Sequence, residues 1–353
     1  VWKYHPKTDS YYMHIFSEKM PDLNWRNRAM RSELKQMIQF WIDLGVDGFR
    51  IDASNHLEKN WDFPDDFPGY QHFSSLPKHH EYLQELGKEL FVPNDLLIIG
   101  ESGGASKEEA IQYAGYHSHE FNMLIQFGHC WADVDDSNSK LMGKWAKGAL
   151  RVSSIKQSFH HWYEMLRNEG WNVIYWHNHD QPRIVSHYGN DQTFWFESSS
   201  MLAGALYFMP GSAIVYQGEE IGMKNVYYPS LEKFRDVEVY TEYKNMIQKG
   251  LTNEEALAVL RDRSRDNARS PMQWDQTLYQ GFSSVHPWID LPSHAKENHV
   301  QKQETENPSL LHLYRFLLKI RNENQNVTHG TLQFIDMNSE IDFTYLKIGR
   351  AHV

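Results

Sequence analysis

The sequence predicts an α/β fold, and three observations predict it. Amphipathic helical stretches alternate with short apolar runs, three of the five runs are apolar throughout instead of at every second residue, and polar, chemistry-bearing residues stand at the ends of most of them. Continuous apolar strands between helices indicate a parallel sheet covered on both faces.

The elements follow in order. Residues 28–44 set Met30, Leu34, Met37, Ile38, Trp41 and Ile42 at helical spacing with Gly45 as the stop, and 46–52 reads as a buried strand ending in charge. A second helix carries Leu83, Leu86 and Leu90, breaks at Pro93-Asn94-Asp95 and leads into an apolar strand at 96–100, closed by Glu101. Ser106 and Glu109 form a capping box at the start of the next helix. A third strand spans 121–127. The helix from Ser154, with Ile155, Phe159, Trp162 and Leu166, precedes a strand at 173–176, and 213–216 is the fifth. An arginine-rich polar segment then leads to a helix at 308–322 and to β-type sequence at 331–335 and 342–346, which reads as the start of a small all-β domain.

The 353 residues suffice for a large core. No run reaches the roughly 18 apolar residues of a membrane helix, so no membrane partner is expected. Net charge is 35 − 46 = -11, which disfavours nucleic acid because nothing basic offsets phosphate repulsion. A lone cysteine, Cys130, excludes an internal disulfide and a thiolate zinc cluster and fits a reducing, cytoplasmic compartment. Aromatic residues make up 14%, with 12 Trp and 19 Tyr, more than a core alone calls for and suited to stacking flat, hydroxyl-rich ligands.

Asp52, Glu101, Asn178-His179-Asp180 and Gln217-Gly218-Glu219-Glu220 all stand at the carboxyl ends of predicted strands. In a TIM barrel that face carries the active site. Here the sequence resembles a known family. Gly48-Phe49-Arg50-Ile51-Asp52, Ile99-Gly100-Glu101 and Asn178-His179-Asp180-Gln181-Pro182-Arg183 look like the second, third and fourth sequence regions of the α-amylase family of glycoside hydrolases, family 13. Likeness to its α-glucosidase and oligo-1,6-glucosidase branch is supported by Pro21-Asp22-Leu23-Asn24-Trp25, Tyr216-Gln217-Gly218-Glu219-Glu220-Ile221-Gly222 and Arg265-Asp266-Asn267-Ala268-Arg269-Ser270-Pro271-Met272-Gln273-Trp274. Six motifs stand in the family's order. The resemblance implies a partial TIM (β/α)8 barrel over 1–325, about its last five βα units, followed at 326–347 by the beginning of a C-terminal β domain. Residues 348–353 read as a translated adapter oligonucleotide outside the fold. By this reading the sequence is a fragment, missing the N-terminal part of the barrel, and the polypeptide alone is expected to be inactive.

The chemistry can be argued from the residues. Hydrolysis with retention needs two carboxyl groups about 5 to 5.5 Å apart, one ionised and nucleophilic, the other protonated. Arg50 lies two residues before Asp52, on the same face of a strand, where its permanent charge favours an ionised nucleophile at Asp52. Glu101 follows four apolar residues and a glycine, an environment suited to a general acid and then general base. The resemblance gives Asp180 the role of transition-state stabiliser and His179 a sugar contact. It places Arg265 or Arg269 near the leaving sugar, and Arg183, after the third carboxylate, is a further candidate contact in the same subsite. Ala53 follows the nucleophile where α-1,6-preferring relatives tend to carry valine. The smaller side chain leans toward α-1,4, maltose-type bonds, a difference of about 1 to 3 kcal/mol.

The reading is a retaining α-glucosidase acting on short oligosaccharides from the non-reducing end, probed against four alternatives: an oligo-1,6-glucosidase, a trehalose-6-phosphate hydrolase, a transglycosylase or sugar isomerase, and a non-catalytic amylase-like module. A monomer is expected. The pairs His79-His80 and His160-His161, and His117 with His119, lack metal-ligand spacing and read as surface or core histidines. No metal or cofactor is implied by the residues present, and the calcium that relatives often carry belongs to a part this sequence lacks. Gly128 stands where relatives generally have glutamate.

Overall fold

The computed structural model describes residues 2–65, 69–103, 105–135, 137, 140–292 and 297–349. The chain divides into two compact units, residues 1–127 with 165–171, and residues 128–164 with 172–353.

The first unit opens with an antiparallel hairpin, β1 (Trp2–His5) and β2 (Ser10–Met13). Helix α1 covers Arg28–Asp43, begun by Asn27, whose side chain accepts from the amides of Ala29 and Met30, and Gly45 follows it at φ 90°. Strands β3 (Gly48–Ile51), β4 (Leu97–Glu101) and β5 (Met123–Ile125) form a parallel sheet in that order. Arg50 lies opposite Ile99 and Ile51 opposite Gly100, so Asp52 and Glu101 leave the carboxyl ends of adjacent strands. Two glycines permit this close pairing: a Cβ on Gly48 would sit 2.0 Å from the Leu97 carbonyl oxygen, and one on Gly100 would enter the Phe121 ring. Helix α2 (Lys78–Leu86) runs into a wide turn at Gly87–Phe91, and α3 (Ala110–Ala114) follows the Ser106–Glu109 box, which forms with reciprocal side-chain to backbone bonds. Leu83, Ile98, Tyr113 and Leu124 are fully buried between these elements.

Two expectations change. Strand β3 is only partly buried and Arg50 is exposed, because among the described residues β3 pairs with β4 alone. Helix α1 buries none of its residues, and Met37 and Trp41 on its apolar stripe stay nearly half exposed.

In the second unit, α4 (Val152–Leu166) leads to β6 (Val173–Ile174), α5 (Ile184–Tyr188), α6 (Trp195–Tyr207) and β7 (Ser212–Ala213), with β6 and β7 parallel. Helices α7 (Val237–Gln248), α8 (Asn253–Arg263), α9 (Val300–Thr305), α10 (Leu310–Glu323) and α11 (Gln325–His329) follow, then the antiparallel hairpin β8 (Thr331–Phe334) and β9 (Tyr345–Ile348). One core cluster joins Phe159, Trp176, Leu206, Tyr314 and Leu317 to Leu332 and Phe334, so the expected β-domain segment shares the core of the preceding helices. Lys156, fully buried, donates to the carbonyls of Asp336, Ser339 and Asp342 and ties the β8–β9 loop to α4.

All five expected strands form; four are shorter than their expected runs, while β4 keeps five residues, shifted by one. Among the described residues they make one sheet of three and one of two, and no closed barrel. Ile348 is the last residue of β9, paired with Thr331, while 350–353 lie outside the described residues.

Candidate active site

In the first unit, Arg50 stands between two carboxylates: Nη1 donates to Asp52 Oδ1 and Nη2 to Glu101 Oε2. Asp52 is open to solvent at 66% side-chain exposure, whereas Glu101 keeps 10%. The expected apolar surroundings of Glu101 are thus interrupted by a guanidinium. Ala53 turns the chain in the left-handed region at φ 47°, ψ 41°, which drops Ser54 beneath the strand ends. Ser54 Oγ donates to the Glu101 carbonyl at 2.8 Å, and Asn55 Nδ2 donates to Ser74 Oγ at 2.7 Å. Both residues are buried, so the loop after the candidate nucleophile is fixed from below.

In the second unit, the loop after β6 presents His179 and Asp180. Asp180 Oδ1 accepts from Arg265 Nη1 at 3.3 Å and from Arg269 Nη2 at 3.0 Å, and His179 Nε2 lies 3.5 Å from Oδ2. Arg269 Nε also donates to the His179 carbonyl at 3.1 Å. The structure therefore brings four sequence-selected residues, His179, Asp180, Arg265 and Arg269, into one charged group. Burial lowers the pKa of Arg265, but the hydrogen bonds and charge of Asp236 outweigh it and hold the guanidinium well above its ordinary value.

Arg183 is a correction. It was expected beside the leaving sugar, yet it is fully buried. Its guanidinium donates to the carbonyls of Gln217 (2.5 Å) and Asn267 (3.2 Å) and to Ser270 Oγ (3.4 Å), and burial brings its pKa down to about 10. With its donors engaged inside the protein, it fastens loops together and does not face a ligand. Glu219 is likewise turned inward, accepting from Tyr207 (3.1 Å) and Tyr314 (2.8 Å) through one oxygen.

Sequence reasoning missed two carboxylates. Asp236 binds Arg265 through both its oxygens and caps α7, and an aspartate directly before a helix start was the available signal. Asp133 pairs with Arg263 and His187, and no local pattern announced it. Of the histidine pairs, His79-His80 has internal partners: His79 Nε2 meets Tyr113 Oη at 2.7 Å, and His80 Nδ1 meets Glu120 at 2.8 Å. Gly128 begins a short 3-10 turn, and the following Cys130 is buried, 4.0 Å from Tyr175 Oη. Among the described residues no three His, Cys, Asp or Glu side chains are grouped to hold a metal, and no helix is long and apolar enough to cross a membrane.

Known proteins are similar to this chain. The family model for the α-amylase catalytic domain matches residues 1–330. Oligo-1,6-glucosidase from Bacillus cereus is 37% identical over 98% of this chain and 63% of its own length; trehalose-6-phosphate hydrolase from Escherichia coli (strain K12) is 35% identical over 98% and 62%. Among solved structures, trehalose-6-phosphate hydrolase from Bacillus licheniformis superposes with TM-score 0.92 at 34% identity, covering 99% of this chain and 62% of that one. Isomaltulose synthase from Klebsiella sp. LX3 gives TM-score 0.92 at 30% identity, covering 98% and 63%. The chain thus spans a little over three-fifths of the relatives it matches. A family model that matches residues 1–330 settles the lineage: this chain belongs to the α-amylase family, with that family's catalytic-domain fold.

Proposed function

We propose that this chain carries the chemistry of a retaining α-glucosidase that releases glucose from short α-glucosides at their non-reducing end. The observation that supports it best is Arg50 bridging Asp52 and Glu101 at adjacent strand ends. Asp52, the more open carboxylate, attacks the anomeric carbon. Glu101 protonates the leaving oxygen and then, as its conjugate base, activates water. Asp180 and His179 bind ring hydroxyls, while Arg265 and Arg269 line the leaving-group side. By this reading the protein is a cytoplasmic monomer acting on a neutral sugar, and the chemistry of these residues calls for no metal or cofactor.

For bond choice, the small Ala53 side chain supports α-1,4 links of the maltose type. The names of the relatives favour a second reading, α-1,6 or trehalose-6-phosphate cleavage, and give the α-1,4 preference no support. The structural likeness to isomaltulose synthase adds sugar isomerisation through the same covalent intermediate.

The test is an assay of the intact protein on maltose, isomaltose, sucrose and trehalose-6-phosphate, with the anomer of the first product read by NMR. Release of the α anomer, and a loss of at least about a thousandfold in Asp52→Asn, are expected. Undiminished activity in that variant overturns the mechanism. Faster cleavage of isomaltose or trehalose-6-phosphate than of maltose overturns the reading of Ala53 alone, and an isomer of sucrose in place of glucose and fructose favours isomerisation.

A further inference from the structure

In the second unit, two carboxylates meet across one arginine, and only one of them belongs to the proposed site. Asp236 takes Arg265 at two nitrogens, Nε at 2.5 Å and Nη2 at 2.8 Å, and the remaining Nη1 reaches Asp180 Oδ1 at 3.3 Å. A guanidinium is a rigid plane, so fixing two of its nitrogens sets the direction of the third. Asp236 is itself immobilised. Its side chain is 4% exposed, its amide donates to Asp266 Oδ2 at 3.2 Å, and its Oδ1 accepts from the Glu238 amide at 3.1 Å as the cap of α7. Glu238 adds a flanking carboxylate 3.3 Å from Arg265 Nε.

We propose that Asp236 is a positioning residue for Asp180, acting through Arg265. Arg265 and Arg269 hold Oδ1 of Asp180, and the orientation this imposes leaves Oδ2, 3.5 Å from His179 Nε2, to accept from a ligand hydroxyl. Without the anchor at Asp236, Arg265 would be drawn onto Asp180 as a two-pronged pair, engaging both oxygens and competing with the sugar. The inference rests on the glucosidase reading for its functional consequence, and on the Asp236–Arg265–Asp180 geometry for its physical content.

Asp236→Asn is the informative change, since asparagine caps a helix about as well as aspartate and leaves α7 intact. In the intact protein, turnover of p-nitrophenyl α-glucoside is expected to fall about 10- to 100-fold with KM changed less than about threefold, the split expected of lost alignment. Arg265→Lys should lose a similar factor, and the double variant should be no worse than the weaker single variant within about twofold, because both changes break one linkage. A turnover in Asp236→Asn within twofold of the parent, or losses that multiply in the double variant, overturns the proposal. If the parent itself shows no glycosidase activity, the functional reading falls while the positioning claim is read from a crystal structure of Asp236→Asn. There, Arg265 displaced from its single contact with Oδ1 supports the claim, and an unchanged Arg265–Asp180 contact overturns it.

Discussion

The guanidinium of Arg263 closes on both carboxylate oxygens of Asp133, Nη1 to Oδ1 at 3.1 Å and Nη2 to Oδ2 at 2.7 Å, with each side chain 3% exposed. His187 Nε2 lies 3.0 Å from the same Oδ2. Removing Arg263 takes both guanidinium bonds from a buried carboxylate and leaves it His187 alone, so Arg263→Met is expected to destabilise the protein by about 3 to 5 kcal/mol in urea denaturation. A loss under about 1 kcal/mol would contradict this account. Burial pushes the Asp133 pKa up, but hydrogen bonds from His187 and Arg263 outweigh it and bring it from 3.8 down to about 2. A folded pKa below the unfolded one contributes stability above the unfolded value, and that contribution fades as pH falls from about 4 toward 2. Asp133→Asn should therefore flatten the acid limb of the stability profile in that window.

Two buried histidines act at milder pH. Burial lowers the pKa of His79 to about 4, helped by His80, and that of His129 to about 3. Each is neutral when folded and takes up a proton on unfolding below pH 6.5, so stability falls with pH from about 6.5 downward. At pH 5 the expected loss relative to pH 7 is about 2 kcal/mol per histidine, and His129→Leu should remove one such contribution. Equal pH dependence in parent and variant would refute the assignment.

Ala53 holds φ 47°, a conformation that costs a residue with Cβ about 1 kcal/mol relative to glycine and costs a β-branched residue more. Ala53→Gly should raise the unfolding free energy by about 0.5 to 1 kcal/mol, whereas Ala53→Val should lower it and shift the isomaltose-to-maltose ratio upward. Calorimetry of the two variants gives the first comparison and paired kcat/KM values the second. A valine variant as stable as the parent would mean that the backbone relaxes.

Lys156 offers three N–H donors to three carbonyls, at 2.7, 2.8 and 3.2 Å. Lys156→Met keeps the length of the side chain and leaves the acceptors without those donors, a change expected to cost about 2 to 4 kcal/mol. Hydrogen exchange should quicken first in β8 and β9. Uniform loss of protection across the second unit, with no bias to that hairpin, would count against the clamp.

Local rules carried the reading where neighbouring residues decide the outcome. Gly45 stops α1 and the Ser106–Glu109 box forms, because such end signals are satisfied within a few residues. Apolar runs located all five strands but overstated the length of four of them, since pairing depends on partners far away in sequence. The same limit explains Arg183: its motif was intact, but whether a guanidinium faces a ligand or the carbonyls of Gln217 and Asn267 is set by residues 34 and 84 positions away. Asp133 and Arg263, 130 residues apart, were invisible for that reason.

Cys130 gives the protein a built-in timer. Its thiol is the only one in the sequence, it is 2% exposed, and burial pushes its pKa up to about 12. A thiol reagent meets a nucleophilic thiolate only when the surrounding core parts, so the labelling rate at neutral pH counts openings of the second unit without any introduced probe. The single thiol that excluded a disulfide thereby becomes a stopwatch for the unit that carries Asp180.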